Sequence, residues 1–570
     1  MSKHLSVDIR VPIEADNPAI RRIESLCIQC GQCRDVCQQQ ISVGKHYDLA
    51  KTNDYAICIH CGQCANVCPT GSIHEVQDFM KIERVLREGK KKVVAITSPS
   101  VRVGLGEEFG MPSGSYVEEH MVGSLRALGI PYVFDTTFAA DLTIMEEASE
   151  LIDRITTGKP LPQFTSCCPA WVKFVETYYP NLLPNISTSK SPISMFAPTI
   201  KTYFAQKEGI APEDIYVVAL TPCTAKKFEI KREEMSDASK YHKQEEYADC
   251  DVVITTRELA NWMRANNLDL DNVIPSDYDS LMPRGSGAGI IFGNTGGVME
   301  AAIRSAYYFL TKQQPTADLL QLEAVRGLKG VRSAQLTIQD IPLKVAIVHG
   351  TDNARQFISH LETTKEHYDF VEVMTCPGGC IGGGGQPKHI GQDMEAIRKK
   401  RIDALYAKDQ EITLRNSHDN PHIQQLYDEF YKQPLSTLAE ELLHTSYHIR
   451  DDLNEDPSLY KDMFIQESAL DTKISTSSIS YRCSVCGYIY EGDITLEGED
   501  YQCPLCSVPK DLFEKVEEQP QESTSTATDS IRYKCNICGY IYEGDIMNES
   551  DDYKCPMCSV PKDLFEKMEN

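Results

Sequence analysis

Long hydrophobic runs and an excess of basic residues are both missing from this sequence of 570 residues. No stretch is apolar for long enough to span a bilayer, which argues against a membrane helix. The opening MSKHLSVDIRV has no apolar core followed by a small-residue cleavage site, so no secretory leader is expected and a cytoplasmic location is. Lys and Arg number 57 against 83 Asp and Glu, for a formal charge of −26. Phosphate backbones are bound by clustered cations, so nucleic acid is not an expected partner. An acidic surface is ordinarily just solvated and names no partner of its own.

Cysteine, by contrast, is abundant. In a reducing compartment, 22 cysteines point to metal or redox chemistry rather than to disulfides. They fall into three groups: eight in residues 27–68, six between 167 and 380, and eight in 483–558. A hydrophobic content of 41% and a charged content of 25% are those of a soluble globular protein with a real core. The length calls for about three to five domains.

The composition changes along the chain. Residues 1–85 form a Cys-rich unit, and 86–450 read as an α/β domain. In the latter, the β-branched runs KKVVAIT, IYVVAL, DVVITT and LKVAIVHG alternate with helical patterns, predicting largely parallel, buried strands with helices on their faces. Residues 451–478 turn polar and Ser/Thr-rich and read as a linker. A tandem repeat follows: YRCSVCGYIYEGDI at 481 returns as YKCNICGYIYEGDI at 533, an offset of 52. The copies occupy 479–517 and 531–570, joined by a low-complexity tether centred on 518–530. The fold class expected is thus multidomain, α+β and α/β: a ferredoxin-like domain, an α/β catalytic domain and two small metal-knuckle domains.

Cys27-x2-Cys30-x2-Cys33-x3-Cys37 is followed by Cys58-x2-Cys61-x2-Cys64-x3-Cys68-Pro69. This is the two-cluster ferredoxin spacing, in which the fourth Cys of each run ligates the other 4Fe–4S cube. One cube takes Cys27, Cys30, Cys33 and Cys68; the other takes Cys58, Cys61, Cys64 and Cys37. Paired zinc knuckles do not suit this x2-x2-x3 run. Gln38 stands where proline is usual after the first run. Two cubes in series relay single electrons and transform no substrate, so a catalytic centre is expected downstream.

Five of the six central cysteines sit in motifs: FTSCCPAW with Cys167 and Cys168, TPCTAKKFE with Cys223, and EVMTCPGGCIGGGGQP with Cys376 and Cys380. Pro169 suits the first turn of a helix. Cysteines just beyond strand ends fit the rule that α/β sites lie at the carboxyl ends of strands. Cys250, in ADCDVVITT, has no partner motif and reads as a structural thiol.

These three motifs, in this order, closely resemble those of the FeFe-hydrogenases over roughly residues 21–450. The resemblance implies an H-cluster, a 4Fe–4S cube linked through one thiolate to a diiron unit carrying CO, cyanide and a bridging dithiolate. Cys168, Cys223, Cys376 and Cys380 would hold the cube, with Cys380 bridging to the diiron unit. Lys226 would hydrogen-bond a cyanide, while Met374 and the loop of Ser98 and Pro99 would line the pocket. Cys167 would exchange protons with the dithiolate amine, a task that suits a weakly acidic thiol. On a helix, Glu147, Glu150 and Arg154 share a face. Their spacing alone describes a solvated charged face; with Ser187 they match the family's proton path. Ser98, Ile193, Thr221 and Thr375 stand where other residues are common in the family, and no implied ligand is lost.

Each C-terminal repeat pairs Cys-x2-Cys with Cys-Pro-x-Cys: Cys483, Cys486, Cys503 and Cys506, then Cys535, Cys538, Cys555 and Cys558. Four thiolates on two knuckles make a tetrahedral site for zinc or one iron. Gly-Tyr-Ile-Tyr and the CPxC…PKDLF ending resemble the rubredoxin module of rubrerythrin, which together with the upstream cluster cysteines favours iron.

The expected function is reversible dihydrogen activation, in an anaerobic setting, with H2 and protons as substrates. Electrons would leave through the cubes and rubredoxins to a ferredoxin, a rubrerythrin-like protein or a flavodiiron protein. Two rivals share the fold. A hydrogen sensor would typically lack the proton-donating Cys and end in signalling domains, and an iron–sulfur assembly protein would lack the diiron unit.

Overall fold

A computed structural model describes residues 9–450, except 48, 50, 51, 53, 54 and 340, together with six short strands and two single residues between 480 and 567. The chain divides into two compact units, residues 1–467 and 468–570.

The first unit opens with β1 (Ile20–Arg22), antiparallel to β2 (Ile73–Glu75) with Ile20 opposite Glu75. This ribbon closes the Cys-rich segment over a small core of Val11, Ala19, Val36 and Ala65.

Two sheets then form the larger body. In one, β3 (Lys92–Thr97), β4 (Tyr132–Asp135), β6 (Ile215–Thr221) and β7 (Val252–Thr255) lie in the order β4-β3-β6-β7, all parallel. The runs KVVAIT, YVVALT and VVIT supply buried side chains on both faces, as a parallel sheet covered by helices requires. In the other, β5 (Gln163–Phe164), β10 (Phe370–Met374), β9 (Ile341–His349) and β8 (Val331–Ile338) lie in the order β5-β10-β9-β8. Only β8 runs antiparallel, as a hairpin onto β9. Its alternating VRSAQLTI, with Ser333 exposed, is the pattern of a half-covered edge strand.

The 22-residue helix Thr136–Thr157 is buried on opposite sides. Phe138, Leu142 and Met145 enter one core while Ala140, Ile144 and Leu151 enter another. Glu147, Glu150 and Arg154 therefore do not lie on a solvated face, as spacing alone would have it; all three are buried. No helix among the described residues is long and apolar enough to cross a membrane.

In the second unit, β11 (Ser480–Cys483) lies between β12 (Ile489–Glu491) and β13 (Phe513–Val516). Likewise β14 (Arg532–Cys535) lies between β15 (Ile541–Glu543) and β16 (Phe565–Lys567). Tyr481 pairs with Tyr490 and Tyr533 with Tyr542, so the repeat in sequence is a repeat in register. Cys483 and Cys535 end the central strands, opposite Phe513 and Phe565. Cys486, Cys503, Cys506, Cys538, Cys555 and Cys558 lie outside the described residues.

Candidate functional site

Each N-terminal CxxCxxC run turns through two left-handed residues, Gln29 and Gly31 in the first, His60 and Gly62 in the second. A short helix then begins, Gln32–Asp35 or Gln63–Asn66. The β1–β2 ribbon returns Cys68 to the first run. Cys27, Cys30, Cys33 and Cys68 consequently line one cavity. Cys37, Cys58, Cys61 and Cys64 line another. These are the two crossed quartets that the spacing predicts. Backbone amides point at the sulfurs: Val11 N lies 3.4 Å from Cys33 Sγ, Ile73 N 3.3 Å from Cys68 Sγ and His60 N 3.3 Å from Cys58 Sγ. Burial, and next the charge of Cys58, pushes the Cys37 thiol up to about 12. Crowded buried thiols such as Cys37, Cys61 and Cys64 resist ionising alone, and a cationic iron core would offset that cost, so this quartet suits a cluster. The other quartet is more open, with Cys30 exposed and Cys27, Cys33 and Cys68 half-buried.

The central motifs converge because their strands end together. Ser98 and Pro99 follow β3, Cys167 and Cys168 follow β5, Cys223 follows β6, and Cys376 and Cys380 follow β10. Pro169 starts the helix Pro169–Tyr178 directly after Cys168. Ser98, Pro99, Cys167, Cys223, Lys226, Met374 and Cys380 line a single cavity, beside Ile193 and Thr221. Burial first, then Cys168, pushes Cys223 up to about 12. Burial, and then the charges of Cys223, Cys168, Cys61 and Cys380, raises Cys376. Cys168 and Cys376 stay outside the cavity lining while Cys223 and Cys380 enter it. The four thiols crowd one another closely enough to suit a cube, and the cavity beside Cys380 suits a second group attached to it.

Lys226 is buried. Its Nζ donates to the Cys167 carbonyl at 3.1 Å and pairs with Glu229 Oε2 at 2.7 Å. Burial alone would pull this ammonium down, but Glu229 and Cys223 outweigh it and hold it charged. Thr375 N approaches Cys168 Sγ at 3.5 Å, as does Thr375 Oγ1 at the same distance.

Behind Cys167 runs a line of buried polar groups. Burial first, then the charges of Glu147 and Cys380, raises the Cys167 thiol. Glu147 has both carboxylate oxygens buried and without a hydrogen-bond partner among the described residues. Burial first, then Glu150 and Glu372, pushes it up to about 8. Ser187 Oγ donates to Glu150 Oε2 at 2.6 Å. Arg154 binds Glu150 Oε1 through Nε at 3.0 Å and Nη2 at 2.8 Å. Its guanidinium also holds the carbonyls of Pro184 and Ile186, both at 2.9 Å.

Several groups at this site escape a reading of the sequence. Glu229 could have been noticed, three residues after Lys226 in TPCTAKKFE. Glu372 opens EVMTC, yet its partners, the Gly296 and Met299 amides at 2.6 and 2.8 Å, lie about seventy residues away. The contact between the two cysteine systems was equally hidden. Gln63 Nε2 donates to the Gly382 carbonyl at 2.9 Å, Asn66 Nδ2 to Gly383 at 3.1 Å, and Thr224 Oγ1 to His60 at 2.8 Å. A Cβ on Gly384 would lie 2.2 Å from the Cys61 carbonyl, so only glycine permits this approach.

Family models match most of the chain. Residues 91–384 match the C-terminal domain of the iron-only hydrogenase large subunit, and 395–450 match the iron hydrogenase small subunit. Residues 26–73 match a 4Fe-4S dicluster domain, while 481–514 and 533–566 match the rubredoxin-like domain of rubrerythrin. The NADP-reducing hydrogenase subunit HndD of Solidesulfovibrio fructosivorans is 42% identical over 433 residues, 75% of this chain and 67% of that one. Iron hydrogenase 1 of Clostridium pasteurianum is 38% identical over 435 residues, 74% of each. A solved apo FeFe-hydrogenase from Chlamydomonas reinhardtii superposes with a TM-score of 0.58 at 39% identity, covering 66% of this chain and 99% of that one. A cytosolic Fe-S cluster assembly factor of Danio rerio is more distant, 30% identical over 387 residues, 65% of this chain and 92% of that one. Strand ends, crossed cysteine quartets and relatives agree: the chain belongs to the FeFe-hydrogenases, iron–sulfur oxidoreductases that act on dihydrogen.

Proposed function

We propose that this chain carries out H2 ⇌ 2H⁺ + 2e⁻ at an H-cluster held by Cys168, Cys223, Cys376 and Cys380, with Cys380 also joining the diiron unit. When bound, that group supplies the electron-pair chemistry with H2. The protein supplies the rest. Lys226, kept charged by Glu229, orients an anionic ligand. Ser98, Pro99 and Met374 shape the cavity and exclude water. Cys167 holds or releases a proton at its sulfur, and Glu147, Ser187, Glu150 and Arg154 carry that proton to or from the surface. The buried line from Cys167 to Arg154, opening on the cavity that Cys380 and Met374 share, is the observation that carries this reading.

The iron–sulfur assembly reading has a relative in its favour, but hydrogenases are matched at higher identity, and an assembly role gives Cys167, Lys226 and the acid line no task. Residues 1–85 would hold two 4Fe–4S cubes that relay electrons to and from the catalytic domain of 86–450. Residues 479–517 and 531–570 would each hold one rubredoxin-type iron rather than zinc, with 451–478 and 518–530 as linkers. The electron partner is a ferredoxin, a rubrerythrin-like or a flavodiiron protein, in the cytoplasm of an anaerobe.

Replacing Cys167 by Ser tests the proton assignment. Iron–sulfur absorbance should survive while turnover falls by about 10²–10⁴-fold, the usual worth of a positioned acid–base group. Near-normal turnover in that variant would remove the assignment.

A further inference from the structure

Four hydroxyl residues line the site cavity, Ser98, Ser100, Thr136 and Thr221, among apolar neighbours that include Pro99, Phe292 and Met374. Thr221 Oγ1 is committed, donating to the Cys223 carbonyl at 3.1 Å and accepting from Cys223 N at 3.2 Å. Ser100 Oγ faces the Gly293 carbonyl at 3.5 Å. Thr136 differs. It is 3% exposed, and its Oγ1 is buried with no hydrogen-bond partner among the described residues.

Nothing in the helix start accounts for that hydroxyl. Thr136 is the first residue of the helix Thr136–Thr157, and the capping role belongs to Asp135, which accepts from Thr137 N at 2.8 Å. The Thr137 hydroxyl in turn accepts from Gly285 N at 2.9 Å. Asp135 Oδ1 and the Thr137 hydroxyl are thus partnered by protein, whereas Thr136 lines the cavity shared with Cys167, Lys226 and Cys380. Buried hydroxyls are nearly always satisfied, by protein, ligand or ordered water, because an unmade hydrogen bond there is costly.

We propose that Thr136 is a further ligand-contacting residue of this site, its hydroxyl donating to the accepting end of a small diatomic ligand, a cyanide nitrogen or a carbonyl oxygen, on the group the site holds. The inference rests on the H-cluster reading above. Lys226 is the charged donor in the cavity, already engaged by Glu229 and by the Cys167 carbonyl. Thr136 adds a neutral donor from a different element, the start of the helix whose later turns carry Glu147 and Glu150.

Thr136→Val keeps the branched shape and removes the donor, while Thr136→Ser keeps the donor. Infrared spectra of the full-length holoenzyme in the CO and cyanide stretching region read the contact directly, independently of turnover. In Thr136→Val one band should be displaced from its wild-type position, and in Thr136→Ser it should return towards it. A displaced cyanide band identifies cyanide as the acceptor; a displaced CO band identifies CO. Bands in Thr136→Val that coincide with wild type overturn the proposal. Coincident bands together with a lowered melting temperature would instead assign the hydroxyl to the unpartnered Asp135 Oδ2 through a water. Absence of these bands from the wild-type chain would defeat the H-cluster reading itself, an outcome distinguishable from an unmoved band.

Discussion

Among the described residues no cation pairs with Glu147, and the nearby Ser166 amide and Ser187 hydroxyl do not offset its burial, so the neutral acid is its stable form. Burial first, and then Glu150 and Glu372, lifts it from the ordinary 4.5 to about 8. At neutral pH it therefore mostly holds the proton that a relay to Cys167 requires. Within that window the folded chain keeps a proton that the unfolded chain releases. Wild-type stability should accordingly fall as pH rises from 4.5 towards 8. Glu147→Gln, which cannot ionise, should lose less stability over the same range, as melting temperatures across pH would read. Turnover in that variant should drop by about 10²-fold or more. Equal pH dependence in the two proteins would contradict the buried neutral acid. The cysteines were legible because ligand spacing is local. The surroundings of Glu147 and Glu372 were not, because they depend on which distant groups fold against them.

Among the elements, the glycine run after Cys380 is the joint on which the proposed electron relay turns. Arg257, on the helix after β7, grips Glu75 at the end of β2 with Nη2 at 2.6 Å, and also holds the Gly384 carbonyl at 2.6 Å. The Cys61 loop is thereby pressed onto the loop of Cys376 and Cys380. Gly384→Ala should force the two backbones apart and destabilise by about 1–3 kcal/mol, as overpacking does. It should also slow electron transfer from the cubes more than H2 chemistry driven by a small artificial donor. Arg257→Leu would strand Glu75 buried without its partner, a loss of about 3–5 kcal/mol by denaturant unfolding. If Gly384→Ala leaves reduction through the cubes unchanged, this contact is not the relay. The β-branched strands of this body announce themselves in the sequence, and Pro169 marks its helix start. β8 does not, since VRSAQLTI alternates polar and apolar residues as many exposed segments do, and only its hairpin onto β9 makes it a strand. The docking of Gly384 on Cys61 was equally invisible: a glycine run shows that backbone can approach closely, not what approaches.

Over the whole molecule, an acidic chain of charge −26 carries, in sequence order, a 4Fe-4S dicluster match, the hydrogenase match and two rubredoxin-like matches. If rubredoxin irons lie on the electron route, H2 oxidation runs downhill to their higher potential. With the low-complexity segment EEQPQESTSTATDS as a linker between the copies, the two centres would be held at high effective concentration. Removing residues 478–570 should then abolish H2-dependent reduction of a rubredoxin-accepting partner and spare H2 evolution from a strong artificial donor. An undiminished rate to that partner would take the repeats off the route. The central claim, dihydrogen split at a site whose protons pass through Cys167, is tested most directly by isotope exchange. The anaerobically isolated, cluster-loaded chain is held under D2 in H2O, and HD and H2 are followed by mass spectrometry. Wild type should form both, and Cys167→Ser far less of either. A loaded wild-type chain that forms neither would contradict the account.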